Sequence, residues 1–496
     1  MLSNLISLHL FVPEIALVTG IVLLLVWDMA FGRLRRGPAA FIALSALVCA
    51  AIVTLISAKG SPVELFNGLI ARDAFADFFK LFFFLVTGIT VIISLRSRDA
   101  IDYRGEKDPE AAEFFALLLT MNLGMNLMAA ASDLLMAYIA LEMVSLLSYI
   151  VVGFHKRNLA SSEAALKYVI FGGVASGVML FGLSLLYGLS GATDFVTVRA
   201  ALVGQGAVVL PALVLAVVCV LAGFGYKVAA VPFHMWCPDV YQGAPTPITA
   251  LLSVGPKAAG FALLLRFFAG DSGAVPDDQA LMGVPWAVLL GVISAATMTL
   301  GNLSAILQSN IKRLLAYSSI AHAGYLLMAF CVFSREAEAA VMFYLVAYLL
   351  MNLGAFIVVI GFSEAGVGET IESYNGLGVR APMVAAALGV FLFSLTGIPP
   401  MAGFIGKFYL FAAVIKQGGA FYWTLAVIGI VNSAISLYYY ARILKAMFFT
   451  RSENTTPLVV PGVHRTMAGV LAVPTILLGV YWAPLMDYIG RALAAS

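Results

Sequence analysis

Five residues could carry a proton through an interior closed to bulk water: Glu142, Lys227, Lys257, His322 and Lys407. Each lies inside a long apolar stretch, where a charge costs roughly 2.5–3.5 kcal/mol even on lenient insertion scales. Side chains kept at that cost line an ion path or face an opposite charge. All three deeply placed cations are lysines. Arginine cannot let its proton go, whereas lysine can, because burial disfavours the ammonium form. That choice favours proton transfer over static pairing. Glu142 and Lys227 would form an ion pair if their helices are neighbours, and opening the pair would release the proton. Lys257 and Lys407 could pass it onward through water. His322 would stand between them, a side chain that ordinarily titrates near neutrality.

Depth supports the grouping. At about 1.5 Å per residue, ten helical residues descend about 15 Å, half of a ~30 Å hydrocarbon layer. Glu142 is nine residues past Asp133, Lys257 ten past Pro247, His322 ten past Lys312, and Lys407 nine before Lys416. Lys227 joins them seven residues before His234. Two of the helices must be interrupted, because Pro232 follows Lys227 and Pro399-Pro400 precede Lys407. Proline removes a donor and frees a carbonyl, and such groups survive in a membrane only against protein or water. Interrupted helices beside ionisable residues recur in ion pathways. Asp133 and Glu163 read as caps or solvated charges, and Ser318 and Ser319 as groups that hydrate their helix or bond back to it. His234 reads as a structural or rim residue, and Glu14 and Asp77 have no assigned role.

The elements that position these groups are membrane helices. Of 496 residues, 62% are hydrophobic and 11% charged; no soluble core needs that balance. Fourteen helices are predicted, over about 5–31, 39–58, 75–95, 112–132, 134–153, 165–190, 208–233, 247–268, 283–305, 314–333, 338–362, 383–415, 421–447 and 466–488. The first is expected to be retained, since neither a basic lead-in nor a small-residue cleavage site accompanies it. The fold class is all-α integral membrane. The broken helices, seventh and twelfth, stand five apart, and a five-helix repeat inverts its direction. Residues 112–268 (helices 4–8) and 283–447 (helices 9–13) are therefore expected to be inverted copies. Three helices precede them in 1–111 and one follows in 466–496, within a single polytopic domain.

Charge gives a sidedness. Of 28 Lys and Arg, 17 fall in odd-numbered loops and seven (Lys59, Arg72, Arg199, Arg266, Arg335, Lys416, Arg491) on the opposite side. The remaining four are the three midplane lysines and Lys80, expected near a helix end. The bias places odd loops in the cytoplasm and both termini outside. A net charge of +2 gives no hint of nucleic-acid binding. Cys49, Cys219, Cys237 and Cys331 form no CxxC pair and no iron–sulfur or zinc spacing. Nothing resembles a dinucleotide or flavin fingerprint, and Gly172-Gly173 reads as close helix packing.

Leu221–Thr246, with Lys227, Pro232 and His234 inside it, resembles the signature of the antiporter-like membrane subunits of bacterial NADH:quinone oxidoreductase, respiratory complex I. Ile311–Tyr325 and Ser394–Lys407 resemble two further motifs of that family. The resemblance extends over essentially the whole chain, and the lysine at 407 fits one branch better than the subunit M branch, where a glutamate is typical. It implies a proton-translocating subunit driven by redox chemistry elsewhere. Glu142 and Lys227 become the fifth- and seventh-helix pair, Lys257 the central relay, Lys407 the terminal carrier, and His322 a member of the tenth-helix motif. NADH, FMN, iron–sulfur clusters and quinone would sit on other chains, with no cofactor or metal here. Implied partners are the lipid bilayer and other membrane-arm subunits, antiporter-like M and small subunits such as K, in a bacterial inner membrane. A Mrp-type cation/proton antiporter subunit is the alternative reading.

Overall fold

The computed structural model describes residues 4–31, 35–57, 62–97, 110–202, 209–269, 286–332, 334–452 and 456–495. Arg33, Lys59, Arg98, Arg104 and Lys107, which entered the charge count, lie outside them.

The crossings are α1 (Val12–Phe31), α2 (Arg36–Ser57), α3 (Ala74–Ser94), α4 (Ala111–Ala130), α5 (Leu134–Val152), α6 (Leu159–Ser190) and α7 (Leu210–Val228). Then follow α8 (Thr246–Ala269), α9 (Trp286–Ile306), α10 (Ile311–Ala329), α11 (Arg335–Glu364), α12 (Pro382–Thr396 and Ala402–Lys416), α13 (Gly419–Phe448) and α14 (Gly462–Val480). Twelve of these are long and apolar enough to cross a bilayer on their own. Polar α10 and the two halves of α12 complete the fourteen. A two-stranded hairpin, Val63–Leu65 with Ile70–Arg72, precedes α3. Below, the end of the bundle where α5 and α11 begin is the outer end, and that where α10 begins is the inner end.

Burial sorts the helices. α8 is enclosed along its length, while α1, α2 and α13 expose apolar faces. In lipid that is the expected sorting, since apolar side chains need no burial there. α10 and α11 are nearly as enclosed, so three adjacent helices are kept from lipid, and α8 among them carries Lys257.

Helix ends reveal the internal repeat. Asp133 caps α5 by accepting from Leu135 and Met136, and Asn310 caps α10 by accepting from Arg313. Next to each cap the same pair of backbone bonds recurs. Leu134 N donates to Thr193 O (2.8 Å) and Phe195 N to Ser132 O (3.0 Å); at the opposite end, Ile311 N donates to Glu369 O (2.8 Å) and Ile371 N to Ser309 O (2.9 Å). Helices five apart run in opposite senses, so the two copies are inverted. Both interruptions are present: α7 stops at Val228 and resumes as Trp236–Gly243, and α12 is split between Thr396 and Ala402. The peptides before Pro232 and Pro400 are cis.

Several boundaries differ from the sequence expectation. The first stretch is two helices, Asn4–Leu10 and α1, parted at Phe11 ahead of Pro13, whose ring has no N–H to continue the ladder. α7 ends five residues early, because Ala229 adopts φ +59° and Ala230 N closes the end on Gly225 O. α11 carries a π-turn at Leu349–Leu353. The last stretch divides into α14 and Ala483–Ala494. Lys80 is not near a helix end in any solvated sense. It is 3% exposed and pairs with Glu14 of α1 at 2.7 Å, giving Glu14 a partner the sequence did not show.

Candidate functional site

Lys227, Lys257, His322 and Lys407 are all at most 3% exposed, and all lie within the bundle. Their partners come from other helices and, for Lys407, also from the other half of its own. Lys227, at the end of α7, donates to Ser145 Oγ of α5 (3.1 Å). Glu142, one turn before Ser145, is half-buried, and its Oε1 has no hydrogen-bond partner. Carboxylate and ammonium therefore do not form the direct ion pair that was expected; Lys227 rests on a hydroxyl within the field of Glu142. The stem of Lys227 lies against Gly260 of α8, where a Cβ would come 3.2 Å from Lys227 Cγ.

Lys257 follows Pro256, a proline inside α8 that frees the Leu252 carbonyl. Its ammonium donates to Ser319 Oγ of α10 (2.5 Å) and faces the Tyr241 ring at 5.8 Å. On the same helix, Ser318 Oγ shares a hydrogen bond with Tyr440 OH of α13. Tyr440 OH lies 3.4 Å from His322 Nε2, and His322 Nδ1 shares a hydrogen bond with Tyr344 OH of α11 (2.5 Å). Ser318 and Ser319 thus face two different partners on two different helices.

Lys407 reaches back across its own break. It donates to the carbonyls of Leu395 (3.1 Å) and Thr396 (2.9 Å), the end of the first half of α12, and to Ser433 Oγ of α13 (2.9 Å). These are carbonyls that a helix end leaves without intrahelical donors. Tyr325 places its ring 4.6 Å from the ammonium. Gly397, at φ +89°, lets the chain turn there, and a Cβ would press to 2.9 Å of Lys407 Cδ.

The structure brings Lys257 and Lys407 within electrostatic reach of His322 in a hydroxyl-rich region, and holds Lys227 between Ser145 of α5 and Gly260 of α8. His234 is buried in the loop after α7, with Nδ1 unpartnered. Sequence reasoning missed Ser145, Tyr344, Tyr440 and Ser433. Pro256 beside Lys257 was a legible signal that went unused. At the inner rim Asp239 binds Lys167 (2.7 Å) and Arg313 (2.5 Å), and Lys312 pairs with Glu369 (3.1 Å). Burial tends to raise the Asp239 carboxyl, but those two cations hold it below its ordinary value.

Residues 131–436 match the family described as NADH:quinone oxidoreductase/Mrp antiporter, TM. NADH-quinone oxidoreductase subunit N 2 of Sorangium cellulosum is 50% identical over 502 residues, spanning 99% of this chain and 98% of its own. NADH-quinone oxidoreductase subunit N of an Anaeromyxobacter species is 48% identical, spanning 99% and 97%. A chain of respiratory complex I from Thermus thermophilus, solved with bound aureothin, superposes with TM-score 0.78 at 31% identity over 96% of this chain and 98% of that one. A chain of the Mrp complex of Dietzia superposes with TM-score 0.79 at 21% identity over 97% of this chain and 95% of that one, a likeness of fold alone. Near-full-length identity of this order with subunit N proteins, on the fold of a complex I chain, leaves one assignment: the chain belongs to the antiporter-like membrane subunits of NADH:quinone oxidoreductase, in their subunit N branch.

Proposed function

We propose that Glu142, Lys227, Lys257, His322 and Lys407 form the proton relay of a proton-translocating subunit of NADH:quinone oxidoreductase, driven by NADH oxidation and quinone reduction on partner chains. The observation that carries the reading is the buried region from Lys257 to Lys407, lined by Ser318, Ser319, His322, Tyr344 and Tyr440. Loading follows from the first unit. With Glu142 ionised and close, its field favours the ammonium of Lys227, and Ser145 accepts from it. When that carboxylate is drawn away or neutralised, burial works against the charge and the proton moves on. Lys257 receives it through water, and hydroxyls and His322 carry it toward Lys407.

The antiporter-like units span 112–268 and 283–447. Neighbouring membrane-arm chains, among them antiporter-like M and a small subunit such as K, would supply the coupling, and FMN, iron–sulfur clusters and quinone would sit outside this chain. The setting is a bacterial inner membrane with both termini on the periplasmic side.

The test compares Lys227→Ala with wild type at equal assembly in membrane vesicles, following quinone-dependent NADH oxidation and proton uptake. Loss of both is expected. Normal uptake would reduce Lys227 to a structural charge. Purification without redox partners, together with cation-dependent proton exchange, would instead favour the Mrp-type reading.

A further inference from the structure

Outside the relay, several titratable groups are buried and unused, among them Asp77, His464 and Glu338. Glu338 of α11 is 9% exposed, and no hydrogen bond to its carboxylate is found among the described residues. It lies three residues inside the outer end of its helix, about one turn deep. It lines a cavity of about 410 Å³ at that end, together with Arg72, Arg199, Arg266 and Arg335. Four of the seven cations counted on the sparsely charged side thus meet in one place. Exposed Val196 and Glu64 also line the cavity, so it reaches the outer surface.

The arginines are held in position. Arg266 grips Asp73 with two bonds of 2.6 Å, Arg72 donates to Ser57 O (2.7 Å), Arg199 to Phe267 O (3.2 Å) and Arg335 to Leu493 O (2.9 Å). Burial tends to raise the Asp73 carboxyl, but Arg266 holds it below its ordinary value, so that pair stays charged. Such a rim repels incoming metal cations.

A second space of about 20 Å³ adjoins it, lined by Leu265, Phe268, Phe330 and Val341, one turn deeper than Glu338, and by Ser334 at the helix cap. That is room for about one water, between walls that are apolar except for Ser334 and Glu338. Six residues deeper on the same helix, about 9 Å along its axis, stands Tyr344, bonded to His322. Apolar constrictions gate by wetting and drying.

We infer that Glu338 is the outer proton acceptor of this subunit, separated from the midplane by an apolar plug and opening into an arginine-rimmed vestibule. The inference rests on the proposed relay. A proton leaving the His322–Tyr344 level crosses the plug on water when it wets, is taken by the Glu338 carboxylate, and is given to vestibule water. One proton is passed and no electron moves. The groups facing Glu338 are Arg335 on its own helix, Arg266 on α8, Asp73 before α3, Arg72 and Glu64 on the hairpin, and Arg199. Those of α10 beside the plug, Ala329 and Phe330, are apolar.

The test uses the assembled complex in vesicles with Glu338→Gln, Glu338→Asp, Val341→Ser and the pair Val341→Ser/Glu338→Gln. Glu338→Gln should lose proton uptake as fully as Lys227→Ala, and Glu338→Asp should restore most of it. Val341→Ser should wet the plug and let an imposed pH gradient decay several-fold faster without NADH, and adding Glu338→Gln should remove that leak. Normal uptake in Glu338→Gln overturns the inference and leaves the relay standing. Loss of uptake with no rescue by aspartate and no leak in Val341→Ser makes Glu338 structural and also overturns it. Normal uptake in Lys227→Ala sinks the relay itself, whatever Glu338 does.

Discussion

α5 and α10 share the backbone of their caps and differ in the chemistry mounted on it. Counted from Asp133 and Asn310, the ninth place holds Glu142 in one helix and Ser319 in the other; the twelfth holds Ser145 and His322. The first unit meets its lysine with a hydroxyl and a nearby carboxylate. The second meets Lys257 with a hydroxyl, and no acidic group lies within ion-pair distance of Lys257 or Lys407 among the described residues. The breaks differ in the same direction. In α7, Ala229 and Ala230 supply the backbone donors that close the helix end, leaving Lys227 out of it. In α12, Lys407 is itself the donor to Leu395 and Thr396. In the proposed relay, the carboxylate near Lys227 serves loading and the hydroxyl-lined region from Lys257 to Lys407 serves conduction.

The largest effect that sharpens this contrast is expected from Glu142→Gln. Coupled proton uptake should fall at least about tenfold, about 1.4 kcal/mol in the limiting barrier, at unchanged assembly. The converse change, Ser319→Glu, installs the missing acid opposite Lys257. It should hold the proton there and slow uptake several-fold, measured in the same vesicles. Unimpaired uptake in Ser319→Glu would show that a fixed carboxylate does not trap the proton, and the contrast between units would lose its meaning.

Next in size is the difference between the two broken-helix lysines in stability. Lys407→Ala takes the side-chain donor from the Leu395 carbonyl, a cost of roughly 1–3 kcal/mol for a buried group left unpaired, while Thr396 O keeps the bond from Ser433 Oγ (2.9 Å). Lys227→Ala leaves no backbone carbonyl in that state. Thermal unfolding of the solubilised complex should therefore report a clear loss for Lys407→Ala and little for Lys227→Ala. Lys407→Arg should recover stability by keeping donors at the break, yet fail to pump, because arginine does not release its proton. Equal melting of both alanine variants would erase the proposed difference.

The midplane groups were legible because a lysine, glutamate or histidine in an apolar run has few readings, and helical rise gives its depth. Their partners were not. Ser145, Ser433, Tyr344 and Tyr440 are hydroxyl residues of a kind that occurs throughout membrane helices, and only the packing of α5, α11 and α13 selects these four. Hydropathy carried α7 on to 233, since nothing apolar marks Ala229 as the residue that turns left-handed. The π-turn of α11 has no proline or glycine inside it to announce it. Lys80 looked peripheral because its partner, Glu14, is two helices away in sequence, and a distant ion pair leaves no spacing to read. Glu338 passed unremarked as the first residue of an expected helix.

The smallest effect concerns the inner rim, where the breaks again diverge. Seven places past Pro232 stands Asp239, and seven past Pro400 stands Lys407. The first is a carboxylate bound at the surface to Lys167 and Arg313; the second is a buried ammonium bound to the break. Both fasten the half-helix after the break, but Asp239 does so in water, where a pair of this kind contributes roughly 0.2–1 kcal/mol. Its carboxyl lies below the ordinary value when folded, so its contribution is complete above about pH 4 and is lost only as pH falls through the lowered value. Asp239→Asn should therefore lower the melting temperature of the complex slightly and by the same amount at pH 7 and pH 5. A difference that shrinks between those two pH values would mean that the carboxyl titrates above its ordinary range, and that Lys167 and Arg313 do not hold it.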